Sequence, residues 1–65
     1  MYTMELESGE KYLISAVYPS GKYMLTEKEL VYVMKTNGVY YFTDCNTGLE
    51  VRINTRLTLE YTAIF

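Results

Sequence analysis

The chain alternates apolar and polar positions in short runs broken by turn residues, the signature of β-strands rather than helices. Lys11 to Tyr18 is a β-branched and aromatic run that stops at Pro19-Ser20-Gly21, and Lys22 to Thr26 returns from it, so the two predict a hairpin. Leu30 to Thr36 and Val39 to Cys45 flank Asn37-Gly38, the pair that a type I′ turn requires because both central residues have positive φ. A second turn at Asn46-Thr47-Gly48 leads into Leu49 to Asn54. Leu57 to Phe65 closes the sequence with Leu57, Leu59, Tyr61, Ala63 and Phe65 alternating against Thr58, Glu60, Thr62 and Ile64. Thr26-Glu27-Lys28-Glu29 has the capping-box pattern and predicts one helical turn near residues 26–30, with an ordinary charged loop as the alternative. Residues 1–9 alternate weakly and read as an extra edge strand or a loose arm. Without repeats or a Pro/Gly/Ser-rich linker, residues 1–65 are expected to form a single small β domain.

Register decides which side chains are exposed. A two-residue Asn37-Gly38 turn sets Thr36 opposite Val39, Met34 opposite Tyr41 and Val33 opposite Phe42. A three-residue bulged loop at 46–48 sets Cys45 opposite Leu49, Thr43 opposite Val51 and Tyr41 opposite Ile53. One face then holds Leu30, Tyr32, Met34, Tyr41, Thr43, Cys45, Leu49, Val51 and Ile53, without a charge, and reads as the core. A four-residue loop would move Lys35 and Asp44 to the buried side, at a cost of several kcal/mol unless they pair, which favours the bulged loop. The opposite face combines Lys35, Asp44, Glu50 and Arg52 with an apolar strip of Val31, Val33, Tyr40 and Phe42. Such a strip is covered within the chain or binds a partner.

The fold class is therefore all-β and mainly antiparallel. The order of elements resembles a small SH3-like or Sm-like barrel; a strongly bent sheet of five or six strands satisfies the same pattern. The sequence has no Trp, and so no acidic loop followed by the paired Trp of peptide-binding SH3 domains. That resemblance does not imply a Pro-rich ligand.

Composition narrows the chemistry. Of the 65 residues none is His and one is Cys, which removes imidazole acid–base catalysis near neutral pH and any internal disulfide. Glu5, Glu7, Glu10, Glu27 and Glu29 accompany no nucleophile, no phosphate-binding Gly-rich loop and no calcium-loop spacing, so we expect no enzyme, no metal and no cofactor. Cys45 follows Asp44, whose carboxylate disfavours a thiolate, and reads as half-buried filler. The net charge of −2, with the six bases scattered singly, disfavours nucleic acid and anionic lipid. There is no apolar run of membrane-spanning length, and the first ten residues are acidic where a signal peptide would be basic, so a cytoplasmic location is expected.

Eight Tyr remain to be explained. Strand packing accounts for most, while Tyr18, Tyr23 and Tyr40, near Lys22, Lys35 and Arg52, suit an exposed aromatic surface. The expected function is a noncatalytic protein-interaction module, a small regulator or inhibitor of a larger protein of the kind that viruses and mobile elements encode. Val31, Val33, Tyr40 and Phe42 would anchor the partner and Lys35, Glu50 and Arg52 would orient it. The alternatives are a homo-oligomer built through edge strands such as Leu57 to Phe65, and a small barrel that binds single-stranded nucleic acid by stacking.

Overall fold

A computed structural model describes residues 6–64. It holds five antiparallel strands: β1 (Lys11–Val17), β2 (Tyr23–Thr36), β3 (Val39–Asp44), β4 (Glu50–Asn54) and β5 (Thr58–Ala63). They form one sheet in the order β4-β3-β2-β1-β5. The strands consecutive from β1 to β4 pair as neighbours, whereas β5 crosses to the far side of β1. β4 and β5 are the two edges, yet only residues 55–57 join them. Four Cα steps span at most about 14 Å, so the sheet must curl until its edges meet at that corner. There Leu57 N–H donates to Asn54 O at 3.0 Å, Arg56 N–H to Asn54 Oδ1 at 2.8 Å and Thr55 N–H to Gly38 O at 2.9 Å. β4 and β5 are not hydrogen-bonded to each other, and the sheet stays open. The architecture is the strongly bent sheet rather than the closed barrel.

The curl arises in β2, where register shifts occur opposite Ile14 to Val17 on one side and between Tyr32 and Met34 on the other. Bulges raise the local right-handed twist and bend the strand, which lets a strand of 14 residues serve both halves of the sheet. The expected helical turn at 26–30 does not form: these residues belong to β2, and Glu27 has φ 46°. Pairing with β1 supplies partners that an isolated turn lacks. The Glu27 N–H, displaced by the bulge, donates to the Ser15 hydroxyl at 2.9 Å.

At the N-terminal side, Gly9 N–H donates to Tyr32 O and Tyr32 N–H to Glu10 O, at 2.8 and 3.0 Å, so this segment prolongs the pairing of β1 along β2. The remainder of the expected arm, residues 1–5, lies outside the described residues.

The Asn37-Gly38 turn forms as expected, with φ of 51° and 75° and with Thr36 opposite Val39 and Met34 opposite Tyr41. The other four expected pairings are corrected. Tyr32, not Val33, lies opposite Phe42, because Val33 is the extra residue of a bulge. The β3–β4 loop has four residues, 45–48, and pairs Phe42 with Val51 and Tyr41 with Arg52. Asp44 causes this. Its Oδ1 accepts N–H bonds from Asn46 at 2.7 Å and Thr47 at 3.3 Å, an Asx turn, while its own N–H donates to Leu49 O at 2.8 Å. The feared burial of Lys35 and Asp44 does not occur, because both sit at strand ends beyond the core, with Lys35 exposed and Asp44 half-buried.

These two one-residue shifts enclose the end of β2 from Met34 and all of β3, and invert that segment. The core on the concave side consists of Tyr12, Ile14, Ala16, Leu30, Phe42, Ile53 and Leu59. Phe42 is its central ring, fully buried, with Tyr32 edge-on at 5.5 Å and Tyr40 tilted at 6.3 Å. Tyr12 and Tyr61 make a second edge-to-face pair at 5.8 Å.

Candidate functional site

The seven residues expected to bind a partner separate into two groups. Val31, Val33, Glu50 and Arg52 lie on the convex face, where the sequence pattern put them. Phe42 does not: it is fully buried in the core and cannot anchor a partner in the folded state. Tyr40 is half-buried against the same core, and the Lys35 ammonium lies 5.4 Å from its ring centroid, so this pair faces the concave side at the end of the β2–β3 hairpin. The inversion of residues 34–44, between the bulge and the lengthened loop, is the reason in all three cases.

What β3 presents outward instead is Tyr41, opposite the bulge formed by Val33 and Met34. In a bulge two residues face one partner and both side chains project to the same side. Val33 and Met34 are accordingly 42% and 50% exposed. The Val33 carbonyl is not left open, since the Ser8 hydroxyl donates to it at 2.7 Å, which fixes the bulge from the N-terminal side. Val31, half-buried and paired between Lys11 and Thr43, continues the strip toward β1.

Arg52 and Glu50 form the rim. The Arg52 guanidinium stands over the Tyr41 ring, 5.7 Å from its centroid, and its Nε donates to Glu50 Oε2 at 2.7 Å. That hydrogen bond, and then the nearby carboxylate charge, raises the Arg52 pKa. As an exposed pair it adds little to stability. Its consequence is orientation: the guanidinium is held over the Tyr41 ring by Glu50 while the Arg52 side chain stays 69% exposed to solvent.

A second exposed aromatic group lies at the β1–β2 turn, where Tyr18 and Tyr23 are 44% and 53% exposed, as the sequence pattern implied for both. Tyr23 donates weakly to Glu60 at 3.4 Å. Cys45, expected as half-buried filler, is exposed in the four-residue loop. Among the described residues no group of three or more His, Cys, Asp or Glu is placed to hold a metal. No helix among them is long and apolar enough to cross a membrane.

Met34 and Tyr41 are the site residues that the sequence reading assigned to the core. The signal that could have found them is Asp44, since Asp at the first position of a type I turn accepts from the N–H groups two and three residues on and so lengthens the loop. In comparison with known protein families, characterised proteins and solved structures, the chain matches none, and its function must be argued from these residues alone.

Proposed function

We propose that this domain is a noncatalytic protein-interaction module that binds another protein through the convex face of β2 and β3. The observation that carries the proposal is the strip of Val31, Val33, Met34 and Tyr41, in which a bulge pushes two aliphatic side chains outward beside a ring capped by Arg52. An apolar centre with an oriented Arg and a charged rim has the composition of a recognition surface, since aromatic residues, Met and Arg are enriched in interfaces. Such a module would act as a regulator or inhibitor of a larger protein in the cytoplasm.

The test compares the wild-type chain with the double substitution Val33→Glu and Met34→Glu, each tagged and used for affinity capture from the native cell. Both positions are exposed, so the variant is expected to keep its circular-dichroism spectrum and cooperative melt while losing the captured protein. Unchanged capture by the folded variant would refute the proposed face. The same preparations, titrated with a single-stranded oligonucleotide at low salt, separate this reading from nucleic-acid binding: the protein-binding reading expects no affinity.

A further inference from the structure

We propose that two copies of this chain associate through β5, antiparallel about a two-fold axis at Tyr61, and so join their sheets into one. The open edges of the sheet support this association independently of the convex face.

Ile64 N–H donates to Lys11 O, and the β1–β5 ladder runs without interruption from Tyr12 opposite Ala63 to Val17 opposite Thr58. In an antiparallel ladder alternate residues direct both backbone groups at the neighbouring strand. Thr58, Glu60 and Thr62 therefore bond to β1, and Leu59, Tyr61 and Ala63 direct their N–H and C=O groups away from the sheet. The same alternation on β4, anchored by Asp44 N–H to Leu49 O and Thr55 N–H to Gly38 O, leaves Glu50, Arg52 and Asn54 open.

The two edges differ in what they can accept. On β5 the open residues carry concave-side chains, and on β4 the open residues carry convex-side chains. Pairing β4 of one copy with β5 of another would join a convex face to a concave face and reverse the curl, so head-to-tail closure is disfavoured. Self-pairing keeps like faces together. On β4, the register that uses all three open residues sets Arg52 opposite Arg52 of the partner subunit, a like-charge contact. On β5, the corresponding register sets Tyr61 opposite Tyr61 of the partner subunit and Leu59 opposite Ala63 of the partner subunit. Glu60 then meets Thr62 of the partner subunit rather than a second carboxylate. β5 also carries only one charged side chain, Glu60, to guard its edge, whereas β4 carries Glu50 and Arg52.

Sedimentation equilibrium of the full chain from micromolar to millimolar concentration, with amide hydrogen exchange at both ends of the range, tests this. The expected result is a monomer–dimer equilibrium in which the Leu59, Tyr61 and Ala63 amides gain protection with concentration. Ala63→Pro removes one open donor at a site where an edge strand tolerates proline, and is expected to give a folded monomer. Thr62→Glu, which sets a carboxylate opposite Glu60 of the partner subunit, is expected to weaken the dimer about tenfold and serves if the proline variant does not fold. A monomer throughout the range, a ladder of higher oligomers, or a dimer indifferent to both substitutions would overturn the proposal.

Discussion

Phe42 and Tyr41 are neighbours in one strand and opposite in role. Phe42 is fully buried between Tyr32 and Tyr40, and Tyr41 lies on the convex face under Arg52. Phe42→Ala should therefore cost about 3–5 kcal/mol, and Tyr41→Ala about 1 kcal/mol or less, in urea unfolding. A polar counterpart is Ser15, the buried polar residue among the described ones, whose hydroxyl accepts the Glu27 N–H. Ser15→Ala leaves that donor without its partner and is expected to cost about 1–3 kcal/mol in the same assay. Burial, reinforced by the nearby Tyr40 and Tyr12, raises the Tyr32 pKa above its ordinary value of 10.0. A phenol with a higher pKa folded than unfolded binds its proton more tightly in the native state. Its contribution is complete below the unfolded pKa and is lost as the pH rises from there through the folded value. Thermal melts of the wild type should thus fall above about pH 10 more steeply than those of Tyr32→Phe.

The strands show which parts of the sequence speak for themselves. The β2–β3 hairpin was legible because Asn37-Gly38 specifies its own turn, with both residues at positive φ. A Cβ at Gly38 would meet Thr55 Oγ1 at an ordinary 3.6 Å, so the cost of Gly38→Ala comes from the backbone, about 1–2 kcal/mol by chemical denaturation. Bulges have no comparable signature. The shift in β2 opposite β1 places Glu27, a residue without glycine's freedom, at φ 46°. Relief of that strain should offset the chain entropy that glycine adds, so Glu27→Gly is expected to be neutral or stabilising by up to about 1 kcal/mol, whereas glycine in the regular strand at Tyr12 would destabilise. The bulge at Val33 and the Asx-lengthened loop at 45–48 each displace the pairing by one residue, and the segment between them, the end of β2 from Met34 and all of β3, turns over. Val31, Val33, Glu50 and Arg52 kept their expected side because they lie outside that pair of shifts. Phe42, Tyr40 and Lys35 changed side because they lie between them. Lys35 and Asp44 escape full burial even on the concave side, because a small bent sheet is buried only at its centre.

Taken together, the molecule is an open sheet that curls until its edges meet at one corner. Its seven-residue apolar core fills the concave side. The convex side retains Val33, Met34 and Tyr41, and the β5 edge retains unpaired backbone groups at Leu59, Tyr61 and Ala63. A chain this short buries only about 60% of its unfolded surface, and both features offer further burial through association. The central claim is that β3 is inverted relative to a simple alternating meander, because the identity of the exposed strip depends on it. Cross-strand Hα–Hα nuclear Overhauser effects measure this directly, since the Hα atoms of non-hydrogen-bonded antiparallel pairs lie close together. The structure predicts strong effects between Tyr41 and Arg52 and between Thr43 and Glu50. Strong effects between Phe42 and Arg52 and between Asp44 and Glu50, the non-hydrogen-bonded pairs of the three-residue-loop register, would contradict it, return Phe42 to the surface and remove the proposed binding face.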